Sequence, residues 1–358
     1  MHPDVEPEVV ELDTSFRSID AGTRLDGRLA EYFAAAWPAY QRWYLSQGEA
    51  ARPTYAQCVL AVDRYLPELR PTFDGLVEAV GGGDLEARFL SQWCPPPLFA
   101  ACSMLTYTRE RNVLVRNYDY PPLLCDNTLL KSTWNQTPVM AMTDCLWGAL
   151  DGINAAGLAV AIAFGGRPVV GEGFGIGLVV RYLLEFATSV GQAIDMLRRI
   201  PIQLTYNISL VDAEGASAVV YVAPDRELVV SGLTTAGNRQ GATDWPEHAA
   251  FCDTVTREAV MAESAADGSL LVGDLVDRFL TPPIYRSTAA STWGTVYTAT
   301  YDCDLRTVEL SWPDDRWLID LNSFAESSRH RLSLVAVPPP MYEPAADRVP
   351  DHRPVLIA

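Results

Sequence analysis

The spacing of apolar residues changes character along the chain. From about Leu25 to Gly83 they recur at mixed three- and four-residue intervals, which predicts helices. LAEYFAAAWPAYQRWYLSQ carries this period, with Pro38 expected to kink or break it. AQCVLAVDRYLPELRPTFDGLVEAVGGG repeats it and stops at a glycine triplet, and DLEARFLSQW adds a short helix. Cys94-Pro95-Pro96-Pro97 then marks the clearest boundary in the chain. Beyond it, strands are predicted at 101–108, 113–117 and 138–143, and as a pair within 146–164. Helices are predicted over 174–189 and 191–200. Strands follow at 207–211, 218–222 and 228–230, helices at 246–263 and 271–279, and strands at 294–301 and 307–312. Residues 1–20 read as polar and loosely ordered, and the proline-rich tail from Pro338 as an extended wrap over the surface.

Strands grouped apart from helices suggest an α+β fold, with antiparallel sheets and helices packed outside them. The 358 residues, 49% hydrophobic and 20% charged, suit one large domain or two smaller ones with a full core. No repeat of fixed period is found. The net charge of −18 argues against nucleic acid and against an anionic membrane surface as partners. It leaves an anionic small substrate open, since a site can be locally basic. No secretory signal and no apolar run of eighteen residues is seen. Seven scattered cysteines then suit a reduced cytosol, so a cytoplasmic enzyme is expected. No C-x-x-C pair suggests zinc, and no G-x-S-x-G suggests a serine hydrolase. The glycines at 171, 173, 175 and 177 do not give the G-x-G-x-x-G of a dinucleotide loop. No metal or cofactor is expected.

A nucleophilic cysteine usually needs a histidine base. His2 and His352 lie in the terminal tails, and His248 and His330 read as surface residues. A cysteine can instead use its own α-amine, whose pKa of about 7.7–8 is close to working pH. That requires the cysteine to become the first residue of a mature chain. Cys102 heads a strand just after the helical leader and the proline run. Fourteen residues on comes Arg116-Asn117-Tyr118-Asp119. If the two strands pair as a hairpin, Arg116 and Asp119 return near Cys102. A cation there favours thiolate, and a carboxylate there would hold an α-ammonium. An ordinary Arg–Asp pair at a hairpin end is the alternative.

Cys102-Ser followed by Arg116-Asn117-x-Asp119 resembles the signature of the choloylglycine hydrolase and penicillin acylase superfamily. The nearer resemblance is to its autoproteolytic acyltransferase branch, which includes acyl-coenzyme A:isopenicillin N acyltransferase. Asp151-Gly-Ile-Asn154-Ala-Ala-Gly-Leu-Ala-Val160 is similar to that branch's strand pair, and Gly165-Gly-Arg167 with Gly171–Ile176 to its next segment. Asn207–Asp212 and Gly294–Ala299 are similar to further segments. The resemblance covers most of residues 95–320 and implies an N-terminal-nucleophile hydrolase, a four-layer α-β-β-α sandwich behind a helical leader. It implies self-cleavage between Ala101 and Cys102, then attack by Cys102 on a linear amide or thioester. Arg116 and Asp119 would order the thiol and amine, and Asn238 would stand at the oxyanion. Asn117, Tyr118, Asn154, Asn207 and Phe164 are the supporting candidates.

The sequence also departs from the pattern. Ala101 stands where Gly is common, and Ala155 replaces an acidic residue. Phe164 stands near an Asn of bile-salt hydrolases and has no side-chain donor, and Arg286 is the candidate for their late Arg. The expected layout is a leader or small subunit at 1–101, a catalytic domain at 102–337 and a tail at 338–358. The expected partners are a small-molecule amide or acyl donor, acyl-coenzyme A among the candidates, and the cleaved leader. Homo-oligomerisation is compatible with this layout. A ligand-binding relative without catalysis is the alternative, discriminated by whether an acyl electrophile labels Cys102.

Overall fold

A computed structural model describes residues 8–337, apart from 24, 26 and 289–292. The chain opens with strand β1 (Glu8–Asp20) and four helices: α1 (Gly27–Tyr44), α2 (Tyr55–Tyr65), α3 (Arg70–Ala79) and α4 (Asp84–Leu90). Strands β2 (Ala101–Tyr107), β3 (Val113–Tyr120), β4 (Thr128–Ser132), β5 (Val139–Asp144), β6 (Gly148–Asn154) and β7 (Ala159–Phe164) follow. Then come α5 (Ile176–Phe186), α6 (Val190–Leu197), β8 (Tyr206–Val211), β9 (Ser217–Ala223), β10 (Arg226–Ser231) and β11 (Thr235–Ala236). The chain continues through α7 (Pro246–Cys252), α8 (Thr254–Ala266), α9 (Val272–Phe279), β12 (Gly294–Asp302), β13 (Thr307–Trp312), β14 (Asp315–Asp320) and β15 (Ser327–Val337).

The strands form two sheets. One has nine strands in the order β10-β9-β8-β7-β6-β5-β4-β1-β15; the other has six, β11-β2-β3-β12-β13-β14. All pairings are antiparallel except β1 with β4. β2 and β3 pack on β7 and β8 across the sheet interface, α5 and α6 cover the nine-stranded sheet, and α8 and α9 cover the six-stranded one. The layers therefore run α-β-β-α, the expected α+β sandwich. Both sheets are covered on both faces around the hairpin, so every residue of β2 and β3 is buried. At Gly152 an added Cβ would lie 2.8 Å from Leu184 Cδ1 and 2.7 Å from Ala141 Cβ, so glycine permits α5 to close on β6.

Residues 8–20 are the main correction. They are a strand, hydrogen-bonded to β15 on one side and β4 on the other. The alternation is present in the sequence: Phe16 and Ser18 face in, while Glu11, Asp13, Ser15 and Arg17 face out. The leader is therefore not wholly helical. β4, β11, β14 and β15 likewise fall outside the strands expected from the sequence. Pro38 lies inside α1 without ending it. The helix expected over 246–263 divides at Asp253, whose φ is 50°. In the leader, Phe33, Trp37, Tyr40 and Tyr44 form one stripe of α1, and all four rings meet Phe89 of α4. Thr54 and Gln57 cap α2 reciprocally. The tail from Pro338 lies outside the described residues. No described helix is long and apolar enough to cross a membrane.

Candidate active site

The predicted hairpin forms. Ala101 pairs with Asp119, Cys102 with Tyr118, Ser103 with Asn117 and Met104 with Arg116. Alternation then sorts these side chains onto two faces. Cys102, Arg116 and Tyr118 face the nine-stranded sheet. Asn117 and Asp119 face the helix layer, where Asn117 Nδ2 donates to Phe279 O (2.8 Å) and Asp119 is engaged by Arg257 of α8. Asp119 Oδ1 also accepts from Thr295 Oγ1 at 2.7 Å. Asp119 thus lies beside the 101–102 peptide as predicted, on the opposite face from the thiol and already paired.

Arg116 is wholly buried. Its Nη2 points at Cys102 Sγ (3.4 Å), its Nη1 donates to Leu150 O (2.9 Å) and to Asp151, and it lies 4.8 Å over the Tyr118 ring. Asp151 in turn accepts from Tyr297 Oη (2.7 Å) and from Tyr301 Oη. The cation that addresses the thiol is therefore fixed by a fully hydrogen-bonded carboxylate. Burial pushes the Cys102 thiol up, while Arg116 opposes the shift without overcoming it. With the 101–102 bond intact, the thiol is held protonated in a cavity of about 70 Å³. Ile162, Phe164, Tyr206 and Leu204 line this cavity, together with Gln92, Pro95, Pro96 and Leu98 of the leader.

Asn238 reaches both sides of the 101–102 bond. Its Oδ1 accepts from Cys102 N (3.1 Å), and its Nδ2 donates to Ala100 O (3.3 Å) and Phe164 O (2.9 Å). Asn207 holds the loop that carries it, donating to Gly237 O (2.8 Å) and Arg239 O (2.9 Å). Thr254 Oγ1 accepts from Asn238 N at 2.8 Å. Phe164 contributes its carbonyl and a wall of the cavity. Asn154 is elsewhere: it joins the β6–β7 turn to the end of α5 through Leu184 O (2.9 Å) and Ala187 O (2.7 Å). The structure brings Cys102, Arg116, Tyr118, Asp119, Asn238, Asn207 and Phe164 together, and leaves Asn117 facing α9 and Asn154 remote.

His248 corrects the surface reading. It is buried, its ring lies 3.4–3.5 Å from Cys252 Sγ, and burial pushes its pKa down to about 4. His330 is exposed, near Asp13. Arg286 stacks on Phe251, and Arg257 is the arginine that meets Asp119. Asp151 and Arg257 are residues that sequence reasoning did not assign. Asp151 opens the Asp-Gly-Ile-Asn segment already singled out, whereas Arg257 sits in a helix with no local signal. Among the described residues no group of three or more His, Cys, Asp or Glu is placed to hold a metal.

Residues 107–236 match the family described as acyl-coenzyme A:6-aminopenicillanic acid acyl-transferase. The match takes in Arg116, Asp119 and Asp151 and agrees with the branch inferred from the motifs; Cys102 and Asn238 lie outside it. No curated protein matches the chain in sequence. Among solved structures, a mutant conjugated bile acid hydrolase from Clostridium perfringens is 12% identical, covering 67% of this chain and 100% of its own, with a TM-score of 0.43. Penicillin V acylase from Agrobacterium tumefaciens is 13% identical over 62% of this chain and 86% of its own, with a TM-score of 0.40. A Caenorhabditis elegans ortholog of N-acylethanolamine-hydrolyzing acid amidase is 14% identical over 61% of this chain and 99% of its own, with a TM-score of 0.44.

Proposed function

We propose, from the premise that residues 107–236 carry this acyl-transferase family's sequence, that the protein is a self-processing cysteine enzyme. It moves the acyl group of a small-molecule amide or thioester to water or to an amine. The observation that carries this reading is the double address of one residue. Cys102 N is held by Asn238 Oδ1 at 3.1 Å while Cys102 Sγ lies 3.4 Å from the Arg116 guanidinium.

In the first stage the Cys102 thiol adds to the Ala101 carbonyl and the C–N bond to Cys102 breaks. The acyl carbon passes to sulfur, and the nitrogen becomes the α-amine. Water then hydrolyses that thioester, releasing the Ala101 carboxylate and the free thiol. In the second stage the same thiol attacks the substrate carbonyl, and the α-amine, held by Asn238 Oδ1, takes and returns the proton. Asn238 Nδ2 is engaged by Ala100 O before the cut. Withdrawal of residue 100 with the new carboxyl end releases that donor toward a developing oxyanion. Asp119, with Arg257 and Thr295, fixes the strand beside the amine.

The leader stays bound after the cut, for two physical reasons. β1 is hydrogen-bonded between β4 and β15, so its departure would open the nine-stranded sheet. Residues 92–94 are tied to the segment before α5 through Gly175 N to Gln92 O (2.8 Å) and Cys94 N to Gly173 O (2.9 Å).

Intact mass tests the reading. Two co-purifying fragments of 101 and 257 residues (358 − 101 = 257) are expected, and a single uncut Cys102→Ala chain without turnover. Cutting or turnover that persists in Cys102→Ala rejects it. Asn238→Ala is expected to lower the rate by roughly 10²–10³.

A further inference from the structure

A second chamber, of about 440 Å³, lies between α1 of the leader and the connection from β3 to β4. That is within the usual range for small-molecule sites, roughly 300–1,000 Å³. It shares Trp43, Leu98, Asp144 and Cys145 with the thiol cavity, so the two spaces meet at a common wall. The thiol cavity alone has room for little beyond the reacting group. Ala36, Ala39, Leu123 and Leu124 make the second chamber largely apolar, and Arg42 stands at its exposed rim.

Two carboxylates, Asp126 and Asp144, interrupt the apolar wall. Tyr40 Oη is hydrogen-bonded to Asp126 Oδ2 and lies 3.0 Å from Asp144 Oδ1. A phenol carries one hydrogen, so it serves only one of the two at a time. Cys145 N donates to Asp144 Oδ1 at 2.9 Å. Neither carboxylate has an ion-pair partner among the described residues. Arg17, whose charge reaches Asp126, donates instead to Thr128 Oγ1 (2.9 Å) and lies over the Tyr32 ring. Burial and the charge of Asp144 push Asp126 up to about 7, and burial raises Asp144 as well. The chamber therefore presents an apolar body with an electronegative, under-neutralised spot at the junction with the thiol cavity.

We propose that this chamber holds the non-reacting body of the substrate, and that this body is apolar and carries a protonated amine seated against Asp126 and Asp144. Its connection to turnover rests on the reading of Cys102 given above. The same wall disfavours a phosphate-bearing donor, whose charge would meet two carboxylates. Small residues on α1 set the width of the chamber, which gives the leader a part in choosing the substrate.

The test is a calorimetric titration of the full chain with 4-phenylbutylamine and, as neutral isostere, 4-phenylbutan-1-ol. Neither carries an acyl group, so the result does not depend on a working thiol and fails separately from the catalytic reading. The amine is expected to bind at least about tenfold more tightly than the alcohol, equivalent to about 1.4 kcal/mol. Asp126→Asn is expected to remove most of that preference. Ala39→Trp, at an exposed position of α1, is expected to weaken both ligands by filling the chamber. Equal affinities overturn the proposal, as does a preference that survives Asp126→Asn. If Asp126→Asn does not fold, unchanged amine binding in Ala39→Trp overturns it and lost binding supports it.

Discussion

Asp151 and the Asp126–Asp144 pair both lie close to the thiol cavity, yet they are solvated by the protein in opposite ways. Asp151 receives a guanidinium and two phenols, Arg116, Tyr297 and Tyr301. The pair shares the Tyr40 phenol, Tyr32 also faces Asp126, and neither carboxylate has an ion-pair partner among the described residues. A buried charge is tolerated when it is paired and fully hydrogen-bonded, and is otherwise driven toward neutrality. In the first arrangement both carboxylate oxygens are hydrogen-bonded, and the Arg116 guanidinium they hold lies 3.4 Å from the thiol. The second is incomplete, with Asp126 pushed up to about 7, and its deficit is what a cationic ligand would fill. The two carboxylate sites therefore differ in how fully the protein compensates their charge.

The contrast can be broken most directly at Asp151. Asp151→Ala leaves Arg116 buried without its counter-charge, and a loss of about 3–5 kcal/mol in urea denaturation is expected. A loss well below that range would erase the distinction. Tyr301→Phe removes one of three donors to the same carboxylate. About 1.5–3 kcal/mol is expected by the same measurement, because hydrogen bonds to charged groups are worth that much. Asp126→Asn has the opposite sign. In the unfolded chain Asp126 ionises near pH 4, about its ordinary value, and in the folded protein near pH 7. Between those values the folded state binds more protons, so wild-type stability falls as pH rises. The Asn variant lacks this loss. Its stability relative to wild type is expected to grow from about pH 4 to about pH 7 and then level off, read from denaturation curves across that window. A difference independent of pH would show that the pair is not under-neutralised.

Much of the site was legible because it is written in one hairpin. Cys102, Arg116 and Asp119 lie within eighteen residues, and strand pairing alone returns Asp119 opposite Ala101. Alternation within the same hairpin also places Asp119 on the face away from Sγ, a consequence that spacing implies once the pairing is known. β1 was misread although its inward positions alternate, because its outward residues carry charge and its partners, β4 and β15, come from distant parts of the chain. His248 reads as a surface residue because nothing in its own helix shows that Phe164 of β7 closes over it.

The sequence by itself determined the hairpin that returns Arg116 and Asp119 to Cys102, the family resemblance carried by residues 107–236 and the alternation of strand and helix blocks. These follow from local spacing and periodicity, which survive without knowledge of the partners. The tertiary structure decided which charges are neutralised. Arg257 with Asp119, Asp151 with Arg116, and Tyr40 between Asp126 and Asp144 are meetings between elements far apart in the chain. Burial and pairing depend on those meetings, and no local pattern encodes them.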